Sequence, residues 1–328
     1  MNKNTELKTI AKDLFSARKV VLFPHVNPDG DSTGSCEALC LALRQAGVEC
    51  WVCAGDYPKY MKHIRGEYFT REPEKVYNAD ISVAVDCSAD NRLEKRLEAY
   101  ESGKVRMCVD HHMNTEGYGE FYYIDEDAAA VCEIVYEIIK ESGVEITREI
   151  ANALYTGIVT DTGGFRYSNT TPRSHDLASE LMRIGVDHLQ IIVNLYNNKN
   201  LKKVRAENKA IENMMFFVGG KGVISHLTSG EMAEMDAHPE DADEIIDRLR
   251  DIDGVEMAAY LEEREEGIKV SMRAKTTGSV VEICQKYGGG GHKKAAGCTI
   301  KDSMENVYAL IKHDMEMALK DGSEIMYC

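Results

Sequence analysis

Residues 19–47, KVVLFPHVNPDGDSTGSCEALCLALRQAG, decide the fold of the N-terminal part of the chain. The apolar run that begins at Lys19 predicts a buried strand, and the polar segment HVNPDGD predicts a turn after it. The stretch from Ser32 to Gly47 predicts a helix, with Asp31 or Ser32 as its N-cap and Gly47 as its stop. A strand, a loop and a helix in this order form the β-loop-α unit of α/β sheets.

Three further apolar runs follow this unit, and each ends in polar residues. They are VECWVCAG (48–55), ADISVAVDCS (79–88) and KVRMCVDHH (104–112). AAAVCEIVYEIIKESG and ITREIANALYTGIVTD predict two helices, and two more are predicted between Pro172 and Asn198. The sequence therefore predicts an α/β domain over residues 1–198, with a mostly parallel sheet flanked by helices.

A different composition begins near Val218. Residues 199–217 predict a charged helical connector, and residues 218–328 predict a smaller α+β domain. Within that domain, VEMAAYLEEREEGIKVSMRAK predicts a hairpin that turns at residues 265–267. The chain is thus expected to have two domains joined by a helix.

The composition limits what the protein can bind. The chain has 328 residues, with 39 Lys and Arg against 55 Asp and Glu, so its formal net charge is −16. A hydrophobic share of 44% is enough for a sizeable core. Because a protein of negative net charge repels a polyanion, tight binding of long nucleic acid is disfavoured. A phosphate ligand should be short and held by a local cluster of positive charge.

The sequence also indicates where the protein works. No apolar run approaches the roughly 20 residues that cross a bilayer, and the first residues, MNKNTELKTI, lack a signal-peptide pattern. The ten cysteines are scattered among predicted strands and helices, which favours free thiols in a reducing compartment. Cys50 and Cys53 have the spacing of metal ligands without a second matching pair, so strand packing is favoured. We therefore expect a cytoplasmic protein.

Side chains that can bind metal ions follow the predicted strands, at the edge where parallel strands end. They are His25, Asp29, Asp31, Asp86, Asp110, His111 and His112, with Asp161 at the end of a later helix-like run. Taken singly, each aspartate could be a turn residue, a helix cap or a strand end. Together, the carboxylates and imidazoles suit Mn²⁺ or Mg²⁺ better than zinc. Two such ions roughly 3.5–4 Å apart would activate a water for phosphoryl transfer.

Four motifs in this region resemble those of the DHH phosphoesterase superfamily. They are HVNPDGDSTGS (25–35), VDCSA (85–89), DHH (110–112) and TGIVTDTGGFRYSNT (156–170). The segments VSMRAK (270–275) and YGGGGHKKAAG (287–297) are similar to the associated C-terminal DHHA1 domain. The resemblance extends over essentially the whole chain, and it is strongest to the branch of nanoRNases and pAp phosphatases.

The resemblance implies two divalent metal ions as cofactors, with Mn²⁺ preferred and Mg²⁺ accepted. The ligands of one ion would be His25, Asp29 and Asp86, and those of the other Asp31, Asp86, His111 and Asp161. Asp86 would bridge the two ions, and His112 would contact the scissile phosphate or the leaving oxygen. Asp110 is either a carboxylate that orients a ligand histidine or a cap at the end of its strand.

The predicted second domain contains a candidate clamp for phosphate. Its residues are Arg273, Gly289, Gly290, Gly291, His292 and Lys293. A run of glycines lets the backbone approach an anion and offer N–H groups, while the histidine and the lysine add polar tips. Arg273 can bind a phosphate through two parallel hydrogen bonds, and its alternative role is a surface ion pair. We expect the clamp to face the metal centre across an interdomain cleft that forms the active site.

The activity implied by the resemblance is hydrolysis of short oligonucleotides (nanoRNA) to mononucleotides and of 3′-phosphoadenosine 5′-phosphate (pAp) to AMP. The expected partners are these substrates, with no long duplex nucleic acid and no membrane; both a monomer and a homodimer are open. A cyclic di-AMP or pApA phosphodiesterase without a membrane anchor is the nearest alternative. A family II inorganic pyrophosphatase is disfavoured because the second domain lacks a concentrated Arg and Lys set. A non-catalytic nucleotide sensor is disfavoured because every ligand position carries a competent residue.

Overall fold

A border between Asn198 and Lys199 divides the chain into two structural units. The computed structural model describes residues 4–55, 61, 66–113, 115, 117–276 and 278–324, and of residues 321–324 the backbone alone. Across these ranges, no helix is both long and apolar enough to cross a membrane. Nine cysteines lie in them as free thiols, and Cys328 lies outside them.

The first unit is built on a six-stranded parallel sheet. Its strands are β1 (Lys19–Pro24), β2 (Glu49–Cys53), β3 (Phe69–Thr70), β4 (Ile81–Val85), β5 (Val105–Asp110) and β6 (Phe121–Ile124). Its helices are α1 (Leu7–Ser16), α2 (Gly30–Gln45), α3 (Leu97–Glu101), α4 (Val131–Ser142), α5 (Arg148–Asp161), α6 (Pro172–Ile184) and α7 (His188–Tyr196). The predicted parallel sheet flanked by helices is confirmed, and the short strands β3 and β6 are additional to the prediction.

In the strand order β3-β2-β1-β4-β5-β6, the first strand of the chain, β1, lies at the centre of the sheet. Residues of β1 alternate between two cores: Val20 and Leu22 pack into one, and Val21 and Phe23 pack into the other. Because both faces are covered, β1 is apolar from Val20 to Pro24. The strand order reverses between β1 and β4, and such a reversal opens a crevice at the carboxyl ends of the strands.

Helix α2 begins one residue after Asp29, whose carboxylate accepts a hydrogen bond from the Ser32 N–H at 3.0 Å. Asp29 is therefore the N-cap, and the prediction of Asp31 or Ser32 in this role was wrong. Asp31 lies instead in the first turn of α2, fully buried. This placement leaves its carboxylate available for contacts with other elements.

Helices α2 and α5 approach each other closely because glycines line their contact. A Cβ atom on Gly34 would lie 2.4 Å from the Ala153 carbonyl oxygen, and one on Gly30 would lie 2.3 Å from the Thr160 side chain. These separations are shorter than any ordinary van der Waals contact, so the two helices meet backbone to backbone. The contact places the first turn of α2 beside Asp161, the last residue of α5.

We expect Gly34→Val to destabilise the first unit by about 3 kcal/mol or more, because the new side chain cannot fit without separating α2 from α5. Urea unfolding followed by circular dichroism would measure the loss. Gly55→Val is the matched control, since a Cβ atom there meets nothing within 4 Å. Equal stability of the two variants would contradict the close helix contact.

The second unit is a mixed six-stranded sheet with helices on both faces. Its strands are β7 (Met215–Phe217), β8 (Gly222–Leu227), β9 (Met257–Arg264), β10 (Gly267–Ala274), β11 (Gly290–His292) and β12 (Ala295–Ile300), in the order β11-β12-β10-β9-β8-β7. Its helices are α8 (Leu201–Glu212), α9 (Ser229–Glu234), α10 (Ile245–Arg250), α11 (Val281–Lys286) and α12 (Met304–Glu324). The α+β class and the hairpin are confirmed, since β9 and β10 pair antiparallel across residues 265 and 266.

The segment expected as a connector contributes to the core of this unit. Ala206 and Ala210 of α8 are fully buried against β8, β9 and α10. The opposite face of the sheet packs on α11 and α12. Residues 199–217 thus belong structurally with the second unit, because an amphipathic helix buries its apolar side on the nearest sheet.

Candidate active site

All six predicted metal ligands converge at the carboxyl edge of the parallel sheet. The structure shows three overlapping groups whose ligand atoms lie within 4.8 Å of one another: His25, Asp29 and Asp86; Asp86, His111 and His112; Asp31, His111 and Asp161. His25 directly follows β1, and Asp86 directly follows β4. Asp110 is the last residue of β5, and His111 and His112 come after it. The crevice at the reversal of strand order therefore gathers residues that lie far apart in the sequence.

Asp86 turns one carboxylate oxygen to each side of this cluster. Its Oδ2 lies 3.6 Å from His25 Nε2, and its Oδ1 lies 3.7 Å from His111 Nε2. Asp86 is 2% exposed, and among the described residues Oδ1 has no hydrogen-bond partner. A buried carboxylate oxygen without a partner is costly unless a cation binds it. This arrangement fits a carboxylate that bridges two ions.

The two histidines that are predicted to bind metal, His25 and His111, are oriented by backbone carbonyl groups. Nδ1 of His25 lies 2.6 Å from the Val26 carbonyl oxygen, and Nδ1 of His111 lies 3.0 Å from that of Ala128. Each carbonyl can only accept, so Nδ1 donates and Nε2 is the nitrogen that faces the carboxylates. Metal-binding histidines are held in this way. The carbonyl of Ala128 carries no signal in the sequence.

Asp31 is held by the N-terminus of α4. Its carboxylate accepts the N–H groups of Val131 at 2.5 Å and Cys132 at 3.0 Å, and the hydroxyl of Ser35 at 3.2 Å. Nearby, Asp161 Oδ2 lies 3.6 Å from His111 Nε2. Both aspartates are thus fixed by the packing of helices, which places them on the same side of the cluster.

The loop after α5 has a structural part in the site. The Asn169 side chain donates to the carbonyl oxygens of Ala129 at 3.0 Å and of Asp161 at 3.1 Å. The guanidinium of Arg166 donates to the Gly163 carbonyl at 2.6 Å. Both side chains bond to backbone carbonyl groups and so hold the turn after α5 in place.

Three of the clustered carboxylates, those of Asp31, Asp86 and Asp161, resist ionisation when no cation is present. Burial, together with the neighbouring carboxylates, raises the pKa of Asp86 well above its usual range. Burial and the charge of Asp31 raise the pKa of Asp161 to about 8. Such shifts are expected where acidic groups are gathered away from water. The donor set therefore fits divalent cations, which would remove the repulsion.

Asp110 and His112 form a separate pair beside the cluster. The imidazole donates from Nδ1 to Asp110 Oδ1 at 2.8 Å, and Thr115 donates its hydroxyl to Oδ2. Burial opposes ionisation of Asp110, but the hydrogen bonds from His112 and Thr115 outweigh it and lower its pKa. Nδ1 also lies 3.6 Å from Asp86 Oδ1, yet its hydrogen bond to Asp110 occupies it. Thr115 had no signal in the sequence.

In the second unit, Arg273 and His292 share one face of the sheet. Arg273 of β10 lies opposite Ala295 of β12, and Ala295 lies opposite His292 of β11. Directly opposed residues of antiparallel strands point to the same face, so the two polar side chains flank an alanine at a spacing of about 10 Å. Small residues continue along this face, where Gly297 lies opposite both Ser271 and Gly290. His292 and Lys293 are exposed.

Part of the predicted clamp has a different role. The N–H of Gly289 donates to the Cys284 carbonyl at 2.9 Å, so it cannot serve an anion as predicted. A Cβ atom there would lie 2.4 Å from Cys298 Cβ, which explains the glycine by close packing. Gly290 and Gly291 form the edge strand β11 and not a loop, because they pair with β12.

Arg273 is also engaged. Its Nε lies 3.2 Å from Asp247 Oδ1, the same oxygen that Arg250 contacts at 2.9 Å. The structure thus contains the ion pair that was the alternative role expected for Arg273. Arg250 also pairs with Asp251 at 2.8 Å, so the two guanidinium groups and the two carboxylates balance in charge. A phosphate would therefore have to be bound by the N–H groups of Arg273 that Asp247 does not occupy.

Fold and site together define the class of protein. Residues 19–158 match the DHH family, N-terminal domain, and residues 219–321 match the DHHA1 domain. The chain belongs to the DHH family, and the resemblance of its motifs is confirmed.

Two relatives and one solved structure make the comparison more specific. The bifunctional oligoribonuclease and PAP phosphatase NrnA of Thermus thermophilus is 33% identical over 305 residues, which are 91% of each chain. The protein of the same name from Bacillus subtilis is 28% identical, with 86% of this chain and 89% of the relative covered. The crystal structure of an exopolyphosphatase-related protein from Bacteroides fragilis shares the fold, with a TM-score of 0.89, 24% identity, and coverage of 95% and 96%.

Proposed function

We propose that this protein is a metal-dependent phosphoesterase that hydrolyses short oligonucleotides to mononucleotides and pAp to AMP. The observation that carries the proposal is Asp86, whose two oxygens face separate groups of ligands. Such a carboxylate suits a pair of adjacent ions, the arrangement that serves phosphoryl transfer. The names of the Thermus and Bacillus relatives support the choice of substrates.

The metal ligands in this proposal are those that converge in the crevice. One ion would be held by His25, Asp29 and Asp86, and the other by Asp31, Asp86, His111 and Asp161. A mixture of carboxylate and imidazole favours Mn²⁺, with Mg²⁺ as a weaker alternative. When bound, the two cations would activate a water molecule and offset the negative charge of the phosphate.

His112 is the proposed catalytic residue that is not a metal ligand. Its Nδ1–H group donates a hydrogen bond to Asp110, so Nε2 is the nitrogen available to the substrate. We assign Nε2 to the scissile phosphate or to the leaving oxygen, where it can hold or transfer a proton. Asp110 acts through His112, since it fixes the orientation of the ring.

The sheet face shared by Arg273 and His292 is the proposed site for the end of the substrate. Arg273 and His292 would bind a terminal phosphate, and the small residues between them leave room for the nucleotide. The exposed Lys293 adds charge nearby. Because the chain as a whole carries a net charge of −16, longer polymers gain little from further phosphates.

A panel of substrates tests the proposal. Purified protein with Mn²⁺ would be assayed on pAp, pApA, an RNA dinucleotide, a long single strand and pyrophosphate. We expect rapid hydrolysis of pAp and the dinucleotide, and slow hydrolysis of the long strand. Preference for pyrophosphate or no turnover of any phosphodiester would refute the proposal, and pApA as the sole substrate would favour a dinucleotide phosphodiesterase.

We expect Arg273→Ala to raise KM for pAp about 10-fold with a smaller effect on kcat. The reason is that an interaction with phosphate that is equally strong in the ground state and the transition state contributes to substrate binding and not to the chemical step. Arg250 still neutralises Asp247 in this variant, so folding should persist. Arg248→Ala serves as the control, since that side chain is 54% exposed. An unchanged KM in steady-state assays would remove Arg273 from the substrate site.

A further inference from the structure

The loop that follows β4 lies directly beside the metal-ligand cluster. Asp86 has a positive φ of 57°, which turns the chain sharply after the strand, and two short 3-10 turns separated by a kink at Glu94 span Asp90–Arg96. In the first of these turns, the Arg92 carbonyl accepts the Val26 N–H at 2.9 Å. Since Val26 follows the ligand His25, this hydrogen bond fixes Arg92 at the His25 side of the cluster.

The guanidinium of Arg92 has hydrogen-bonding capacity to spare. It is half-buried, and among the described residues the guanidinium makes one hydrogen bond, a long one of 3.5 Å from Nη1 to Ser88 Oγ. No carboxylate in the described ranges forms an ion pair with it. The arginines at 106, 148 and 173 each pair with an acidic side chain. In a chain with 55 acidic residues, an arginine that lies near an acidic site and has no acidic partner among the described residues is noteworthy.

A purely structural role does not explain this arginine. Arg96, which follows the kink at Glu94, is buried and donates to the carbonyl oxygens of Pro24 at 2.8 Å and Cys53 at 3.1 Å, so it joins the ends of β1 and β2. Arg92 makes no such bond among the described residues. Its backbone carbonyl, not its side chain, holds the loop in place.

We infer that Arg92 binds a phosphate oxygen of the substrate in the first unit, assisted by the hydroxyl of Ser88. A guanidinium offers up to five N–H donors in a planar fork that matches a phosphate. The Ser88 oxygen accepts from Arg92, so its own proton remains available for the same anion. This inference rests on the proposed function, because it names a further substrate-binding residue of that site.

Two variants and two measurements test the inference. We expect Arg92→Ala to lower kcat/KM for pAp by about 10- to 100-fold, the usual effect of losing a charge-assisted hydrogen bond. Arg92→Lys should recover part of the loss, since it keeps the charge without the fork. Calorimetric titration of inorganic phosphate in the presence of Mn²⁺ should show weaker binding by Arg92→Ala, with unchanged Mn²⁺ stoichiometry and an unchanged Tm. Arg148→Ala, an exposed arginine of the same unit, is the control.

The outcomes separate this inference from the proposed function. If the wild-type protein hydrolyses pAp and Arg92→Ala keeps its kcat/KM and phosphate affinity, Arg92 is not a substrate residue. A fall in Tm or in Mn²⁺ stoichiometry that accounts for the loss would likewise overturn the inference in favour of a structural role. If the wild-type protein does not hydrolyse pAp or oligonucleotides, the proposed function fails, and phosphate affinity alone decides the role of Arg92.

Discussion

Asp86→Ala should lower kcat by about 1000-fold or more and abolish binding at both Mn²⁺ sites. Outer partners of metal ligands alone contribute about 10- to 100-fold, and loss of a shared ligand should exceed that. The substitution removes a buried carboxylate whose oxygen Oδ1 has no hydrogen-bond partner among the described residues, so the metal-free protein should stay folded. Calorimetric titration with Mn²⁺ and steady-state assays on pAp would measure the two effects.

His25→Ala is the comparison for Asp86→Ala. His25 contacts Asp29 and Asp86 but none of the ligands assigned to the other ion apart from Asp86. We therefore expect its substitution to weaken mainly one Mn²⁺ site. Unchanged stoichiometry in Asp86→Ala, or equal losses in both variants, would rule out the bridging role.

His112→Ala should lower kcat by about 100- to 10,000-fold, the range for a group that transfers a proton in the transition state. Metal content should be unchanged, because the hydrogen bond to Asp110 occupies Nδ1. The KM for pAp should change little, since the lost interaction belongs to the transition state. Mn²⁺ titration and steady-state kinetics, each compared with the exposed control His313→Ala, would check both statements.

Asp110→Asn distinguishes positioning from catalysis. An amide can still accept from His112, but it carries no charge, so kcat should fall less than in His112→Ala. Retained activity in His112→Ala would assign the pair to structure, and loss of an Mn²⁺ equivalent would make His112 a ligand.

The sequence was informative where chemistry and periodicity coincide. Apolar runs that end in His25, Asp86 and Asp110 predicted both the strands and the edge at which the ligands meet. The rule that parallel strands end on one side of a sheet then predicted their proximity. Asp161 was harder to place from the residues alone, because it ends a helix, and its position depends on the contact between α2 and α5.

Other features depend on contacts that no local pattern encodes. Strand β3 has two residues, too few to show periodicity, and it exists because β2 offers it hydrogen bonds. Thr115 resembles any loop residue in the sequence, and only the folded structure shows that its hydroxyl donates to Asp110. Gly289 belongs to a run that predicts anion binding, yet its N–H completes a turn after α11. In each case the role of the residue depends on a neighbour in the folded structure. No local sequence pattern shows that the two are in contact.

The hydrogen bonds between Asp31 and the start of α4 also bear on how tightly a metal can be held. Val131 and Cys132 restrict this carboxylate to one orientation as the protein folds. The conformational entropy of the Asp31 side chain is therefore lost during folding, and binding of an ion does not have to restrict it a second time. Such preorganisation favours fast, selective capture of an ion that fits, and it disfavours ions that would need the carboxylate to rotate.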